Sequence, residues 1–245
     1  MFTFAGSVIL PATRNGPCRR PSAIPTVTRF LNVSLATYPQ HTGFQCHAYR
    51  PTRRRLSPGL ARGSSLTIDP QLPSAMTGLT LVTFPGAQPI ENIGVIDLVA
   101  GAQLYRVYLA DEDYWLQVHT EHGQVESIVL FNYLSWVPME SQDHLLQTAG
   151  PASPICRPTY LLDGVTFSRD WGTAGNQAEL QSFTERFPPA NHERDQVQHR
   201  AMLYSRDLGI PGRREFLLFS VEENALGEVS VSTSRGLTLF AHDLI

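Results

Sequence analysis

The sequence predicts a mainly β protein. Three observations carry that expectation. Its apolar runs are short and rich in β-branched and aromatic residues, two to five turn residues separate neighbouring runs, and helical spacing shows only in short stretches. The segments LTLVTF (79–84), NIGVIDLV (92–99), LYRVYLA (104–110), YWLQVHT (114–120) and VESIVLFNYLSWV (125–137) read as an antiparallel meander. The pattern resumes with TYLLDGVTF (159–167), QHRAMLYSR (198–206), EFLLFSVE (215–222), EVSVSTS (228–234) and GLTLFAHDL (236–244). The expected architecture is a sandwich of antiparallel meanders, or two packed β subdomains over residues 56–150 and 151–245, with one or two short helices.

Each element has a local reason. In residues 103–118 Tyr105, Val107 and Leu109 share one face, as do Tyr114, Leu116 and Val118 on the next strand. The opposite faces hold Arg106 and Tyr108, then Trp115, Gln117 and His119. Aromatics on both faces imply a sheet packed on one side and partly covered on the other. Asp163-Gly164 is suited to a hairpin turn. Between residues 133 and 154 a short helix at most is expected, ended by Gly150 and Pro151. Residues 176–187 form the best helix candidate: Leu180, Phe183 and Phe187 fall on one stripe and Pro188-Pro189 stop it.

The chain also echoes itself. LYRVYLADEDYWLQVHTEHGQVESI begins Leu-Tyr, turns, runs aromatic-aliphatic and reaches a Gly before Val-Glu-Ser. LYSRDLGIPGRREFLLFSVEENALGEVSV repeats that order with a longer first loop. The echo suggests two duplicated β subdomains, or two halves of one sandwich.

The charge is polarised along the chain. Residues 1–68 hold nine Arg and no Asp or Glu, while residues 69–245 hold ten Arg against 22 acids, a net of −12. Residues 1–55 carry six Pro, end in Arg53-Arg54-Arg55 and keep no period. Three readings fit them: a disordered tail or overcalled start, an organelle-targeting peptide, or a basic arm for anionic lipid or an acidic surface. No aromatic residue interleaves with the Arg cluster, so nucleic acid is not expected as a partner.

Cys18, Cys46 and Cys156 are scattered and odd in number, which supports neither a disulfide framework nor a metal knuckle. The start has no basic region ahead of its apolar patch, and no apolar run approaches the ~20 residues that span a bilayer. A cytoplasmic protein, membrane-associated through residues 1–55 if at all, is the expectation.

The segments NIGVIDLVAGAQLYRVYLADEDYWLQV, ESIVLFNYLSWVP, RPTYLLDGVTFSRDWG and QHRAMLYSRDLGIPGRREFLLFSVEE resemble the YjfK-like bacterial family, a group of unknown function. The likeness runs from about Leu56 to the C-terminus. It brings no catalytic residues. What it implies is context: a protein partner of the PspA-like kind or a small membrane protein, in envelope maintenance or envelope stress.

Candidate chemistry is sparse. Asp111-Glu112-Asp113 lack the alternating acids and distant bidentate Glu of a calcium loop, so they read as a polar hairpin end. His119 and His122 flank Glu121, and His192 and His199 lie seven apart, but neither spacing suits a metal on a strand. Cys156 beside Arg157 reads as inert rather than as a reactive thiolate. Gly-x-Ser-x-Gly and phosphate-loop patterns are missing. With no Lys in the sequence, phosphate-loop lysine and Schiff-base chemistry are excluded. Trp115, Trp136 and Trp171 read as core or interface anchors rather than a cofactor box.

The expectation is therefore a non-catalytic interaction module without metal or cofactor, presenting Asp111, Glu112, Asp113, Trp115, Glu222 and Glu223 to a protein partner. The alternative is an enzyme whose acid/base site is assembled from distant groups such as Asp163, Asp170 and His119.

Overall fold

The computed structural model describes residues 60–189 and 195–245. The long basic segment at the start, and the readings placed on it, lie outside the described residues, as does His192.

The strands are β1 (Ser65–Leu66), β2 (Gln88–Asp97), β3 (Ala102–Leu109), β4 (Tyr114–Glu121), β5 (Gln124–Pro138), β6 (Thr159–Leu162), β7 (Val165–Arg169), β8 (Gln181–Arg186), β9 (Gln196–Asp207), β10 (Arg214–Asn224) and β11 (Val229–Leu239). Two α-helices accompany them, α1 (Leu72–Ala75) and α2 (Gln142–Ala149). Ser141 caps α2 by accepting from the His144 backbone N–H at 3.1 Å.

The expected sandwich is wrong. Strands β2-β3-β4-β5-β11-β10-β9-β8 form an antiparallel ring that closes where Val95 of β2 pairs with Arg186 of β8, giving an eight-stranded barrel. Alternation fixes which side chains share a face but says nothing of whether the outer strands of a sheet meet, so sandwich and barrel give the same local pattern.

The helix expected over 176–187 is also wrong, because its second half is β8. Phe183 and Glu185 point into the barrel, while Thr184 turns outward and donates to Gln198 Oε1 at 2.8 Å. Pairing with β9 and closing onto β2 satisfies this backbone, and that tertiary gain overrides a weak helical stripe.

Each half of the chain supplies one four-stranded meander, β2–β5 and β8–β11. They join through the antiparallel pairs β5–β11 and β2–β8. Repeat-equivalent positions point the same way: Trp115 and Phe216, or His119 and Ser220, all face inward.

Both faces of the wall are buried. Outside, Val107, Leu109, Leu116, Val118, Leu130 and Leu237 are covered by Leu66, Ile68, Leu72, Met76 and Val82 of the preceding segment. Glu215 anchors that cover by accepting from Thr80 Oγ1 (2.6 Å) and the Leu81 N–H (3.0 Å). Residues 79–84, expected as a strand, form this irregular cover. Phe167, Ile155 and Cys156 pack over Met202, Tyr204 and Phe219. On the outer wall, Arg213 and Asp243 make a buried bidentate pair at 2.8 and 2.9 Å that ties down the C-terminal turn.

Candidate functional site

The barrel interior is layered. At its waist Trp115 and Phe131 stack at 4.3 Å between centroids, with Phe216, Leu218 and Leu203 in the same cluster. The layer above is polar. Arg106 Nη1 donates to Glu185 Oε2 at 3.2 Å, and Tyr108 O–H donates to the same carboxylate at 3.0 Å. His199 Nε2 lies 3.0 Å from Glu185 Oε2, and its Nδ1 lies 3.0 Å from Ser220 Oγ. The Arg106 guanidinium sits 4.8 Å from the Trp115 ring centroid and 5.4 Å from that of Phe183.

Electrostatics set the protonation of this network. Burial would raise Glu185, but Arg106 and the hydrogen bonds from His199 and Tyr108 outweigh it and hold the carboxyl below its usual range. Burial and then Arg106 lower His199, so its imidazole is neutral at pH 7. A neutral ring facing a carboxylate carries its proton on Nε2, which leaves Nδ1 to accept from Ser220. Burial opposes the charge on Arg106, yet Glu185 and its neighbours raise its affinity for the proton. Burial likewise pushes Tyr108 well up.

Ser220, His199 and Glu185 thus have the connectivity of a nucleophile, base and orienting acid. Ser220 is 2% exposed, however, and does not line the cavity at the barrel mouth.

That mouth lies where β9 and β11 begin and β5 and β10 end. A cavity of about 700 Å³ opens there. The inward-facing Trp136, Val197, Glu222 and Asn224 form one side, with Met139 and Glu140 leading into α2 and Glu228 on the β10–β11 turn. Glu222 pairs with His199 in the β9–β10 register, so the cavity floor lies directly over the buried network. Glu222 Oε1 accepts from Ser232 Oγ at 2.6 Å, and Glu228 Oε2 accepts from Asn224 Nδ2 at 2.7 Å. Among the described residues no Arg or His lines the cavity.

β5 continues past its neighbour here. Its pairing with β4 ends at Asn132, whereas its pairing with β11 runs to Pro138. Leu134, Trp136 and Val137 are exposed, and no described strand pairs with residues 134–138 on the β4 side.

The expected partner-binding residues separate. Asp111, Glu112 and Asp113 form the β3–β4 turn, and the Asp111 carboxylate accepts from the Asp113 N–H at 3.2 Å. Glu222 reaches the cavity, while Glu223 stands exposed on the outer wall. Trp115 is inside the barrel, 2% exposed, and presents nothing to a surface partner. Trp136 lies at the mouth, 60% exposed, and Trp171 packs edge-on against Phe183.

The groups proposed for an assembled acid/base site do not converge. Asp163 pairs with Arg235 at 2.8 Å and Asp170 with Arg214 at 3.1 Å, both away from the inward-facing His119. Burial lowers His119. His122 occupies the β4–β5 turn at positive φ. Burial pushes the Cys156 thiol up, against only partial relief from Arg169. Among the described residues no group of three His, Cys, Asp or Glu gathers as a metal site.

Glu185 carries no local signal in the sequence, and His199 is legible there only through its spacing from His192. The one local clue was inward parity: Arg106 shares a face with Tyr108, and a buried Arg calls for an acid.

A family model described as "Protein of unknown function (DUF2491)" matches residues 44–245. The chain belongs to this family. The match begins upstream of Leu56, where the resemblance was expected to start, and covers the whole barrel of this DUF2491 member. No curated protein and no solved structure matches it. No helix among the described residues is long and apolar enough to cross a membrane.

Proposed function

We propose that this DUF2491 barrel is a non-catalytic binding module that engages a protein partner at its open end. The carrying observation is the cavity bounded by Trp136, Glu222 and Glu228, beside an exposed apolar stretch of β5. Exposed aromatics rimmed by polar groups are favoured anchors for partners. The buried Arg106–Glu185–His199 layer gives the mouth a rigid floor.

The YjfK-like resemblance names the partner to try first, a PspA-like membrane-remodelling protein or a small membrane protein, with the chain acting in the cytoplasm or at a membrane. A photo-crosslinking residue at position 136 of the full chain, in native membrane and cytosol fractions, tests this. One crosslinked species that vanishes when the crosslinker is moved to exposed Leu161 is expected. Equal labelling from both positions would overturn the reading.

A second reading rests on the Ser220–His199–Glu185 connectivity, an esterase-like site reached when the mouth opens. A fluorophosphonate probe that labels the native chain but not Ser220→Ala would favour it. Absence of labelling retires it.

A further inference from the structure

Among the described residues, the open end of the barrel holds an unpaired strand edge as well as a cavity. In the β5–β11 ladder the Met139 N–H bonds to the Val229 carbonyl at 2.8 Å, and Met139 and Val229 are in register with the Val137–Val231 pair. In an antiparallel ladder hydrogen-bonded pairs alternate with non-bonded ones. Val137 and Ser135 therefore turn their backbone groups towards β11. Trp136 and Pro138, opposite Ser232 and Ser230, turn theirs away. Pro138 has no N–H to donate, which agrees with that phase. The N–H and C=O of Trp136 face the side that β4 has vacated, in a stretch exposed throughout.

Such edges are usually blunted by a charge, a mid-strand Pro or a covering loop. Here Leu134-Ser135-Trp136-Val137 carries no charge, and its only Pro stands at the end. Beside this edge the cavity offers Glu140, Glu222 and Glu228 with no basic counterpart among the described residues, so its charge complements a cation.

We propose that the free edge of β5 takes up an extended segment of the partner as an added strand, with an Arg or Lys of that segment entering the mouth beside Glu222. This rests on the binding-module reading and adds both the mode and the chemistry. Backbone bonds to Trp136 supply register, and the acidic cavity selects the side chain. The Trp136 indole provides an aromatic face for the cation.

The test uses the full chain and a synthetic ten-residue peptide alternating Arg with Thr and Val, with a Glu-for-Arg peptide as its counterpart, followed by fluorescence anisotropy. The Arg peptide is expected to bind and the Glu peptide not. Trp136→Ala keeps the edge N–H and Trp136→Pro removes it. The Pro variant should bind roughly tenfold more weakly than the Ala variant, as for one lost backbone hydrogen bond. Glu222→Gln should weaken the Arg peptide and leave a neutral Thr-Val peptide unchanged. Both position-136 variants keep the buried interior, so their unfolding midpoints report folding independently.

Equal binding by the Ala and Pro variants would overturn strand addition while leaving the mouth as a binding surface. Equal binding of Arg and Glu peptides would overturn the cation pocket. If crosslinking from position 136 finds a partner but neither peptide binds, this inference fails and the binding-module reading stands. Two other occupants would also overturn it: a second copy, seen as a dimer in sedimentation that Trp136→Pro abolishes, or residues 1–59, seen as an intramolecular crosslink.

Discussion

Gly94 and Glu185 fit one another across the closing seam of the barrel. A Cβ at Gly94 would stand 1.7 Å from Glu185 Oε1, so this carboxylate occupies the place of the missing side chain. Gly94 is opposite Arg106 in the β2–β3 register, and Arg106 is the cation that Glu185 meets. Closure and ion pair thus depend on one absent methyl group. Gly236 repeats the arrangement on the far wall, where a Cβ would lie 2.6 Å from the Phe131 ring.

Gly94→Ala should therefore destabilise the fold by about 3 kcal/mol, because neither the backbone nor a carboxylate held by three partners can retreat freely. Urea unfolding followed by far-UV circular dichroism measures it. An unchanged midpoint would show that the seam is looser than described.

Arg106→Leu should cost about 3–5 kcal/mol, since it strands Glu185 in the interior. Combining it with Glu185→Leu should recover most of that loss, because an apolar pair leaves no uncompensated charge. A double-mutant cycle from denaturant midpoints decides, and simple additivity of the two losses would contradict a coupled pair.

Stability should fall on mild acidification. The folded pKa of His199 lies below its unfolded value of about 6.5, so between the two the unfolded chain binds more protons and stability rises with pH. The contribution is complete above about pH 6.5 and declines below it. Glu185, also lowered, adds a loss as pH falls below its ordinary carboxylate value. His119 shifts in the same direction as His199, so His199→Gln should reduce the slope between pH 6.5 and 5 without abolishing it. A slope identical to that of the native chain would place the titration elsewhere.

The tryptophans should divide sharply. Trp115→Ala removes a ring stacked on Phe131 and facing Arg106, and should cost about 3–5 kcal/mol. Trp136→Ala, at an exposed site, should stay within about 0.5 kcal/mol of the native chain. Thermal unfolding of both variants tests the contrast, and iodide should quench the Trp136 contribution to fluorescence but not that of Trp115.

The sequence determined what is local. Period-two alternation placed Val107 and Leu116 on one face and Arg106 and Trp115 on the other, and Asp163-Gly164 adopts the positive φ values of a tight turn between β6 and β7. The internal echo already marked the β3–β5 and β9–β11 segments that correspond in the barrel. Tertiary structure decided the rest. Residues 181–186 could follow a helical stripe or a strand, and only an open place between β9 and β2 made them a strand. Arg106 and Glu185 stand 79 positions apart, and no local period can register such a pair. Their meeting follows from ring closure, which brings distant strands face to face across an interior from which water is largely excluded, where a buried charge must find its opposite.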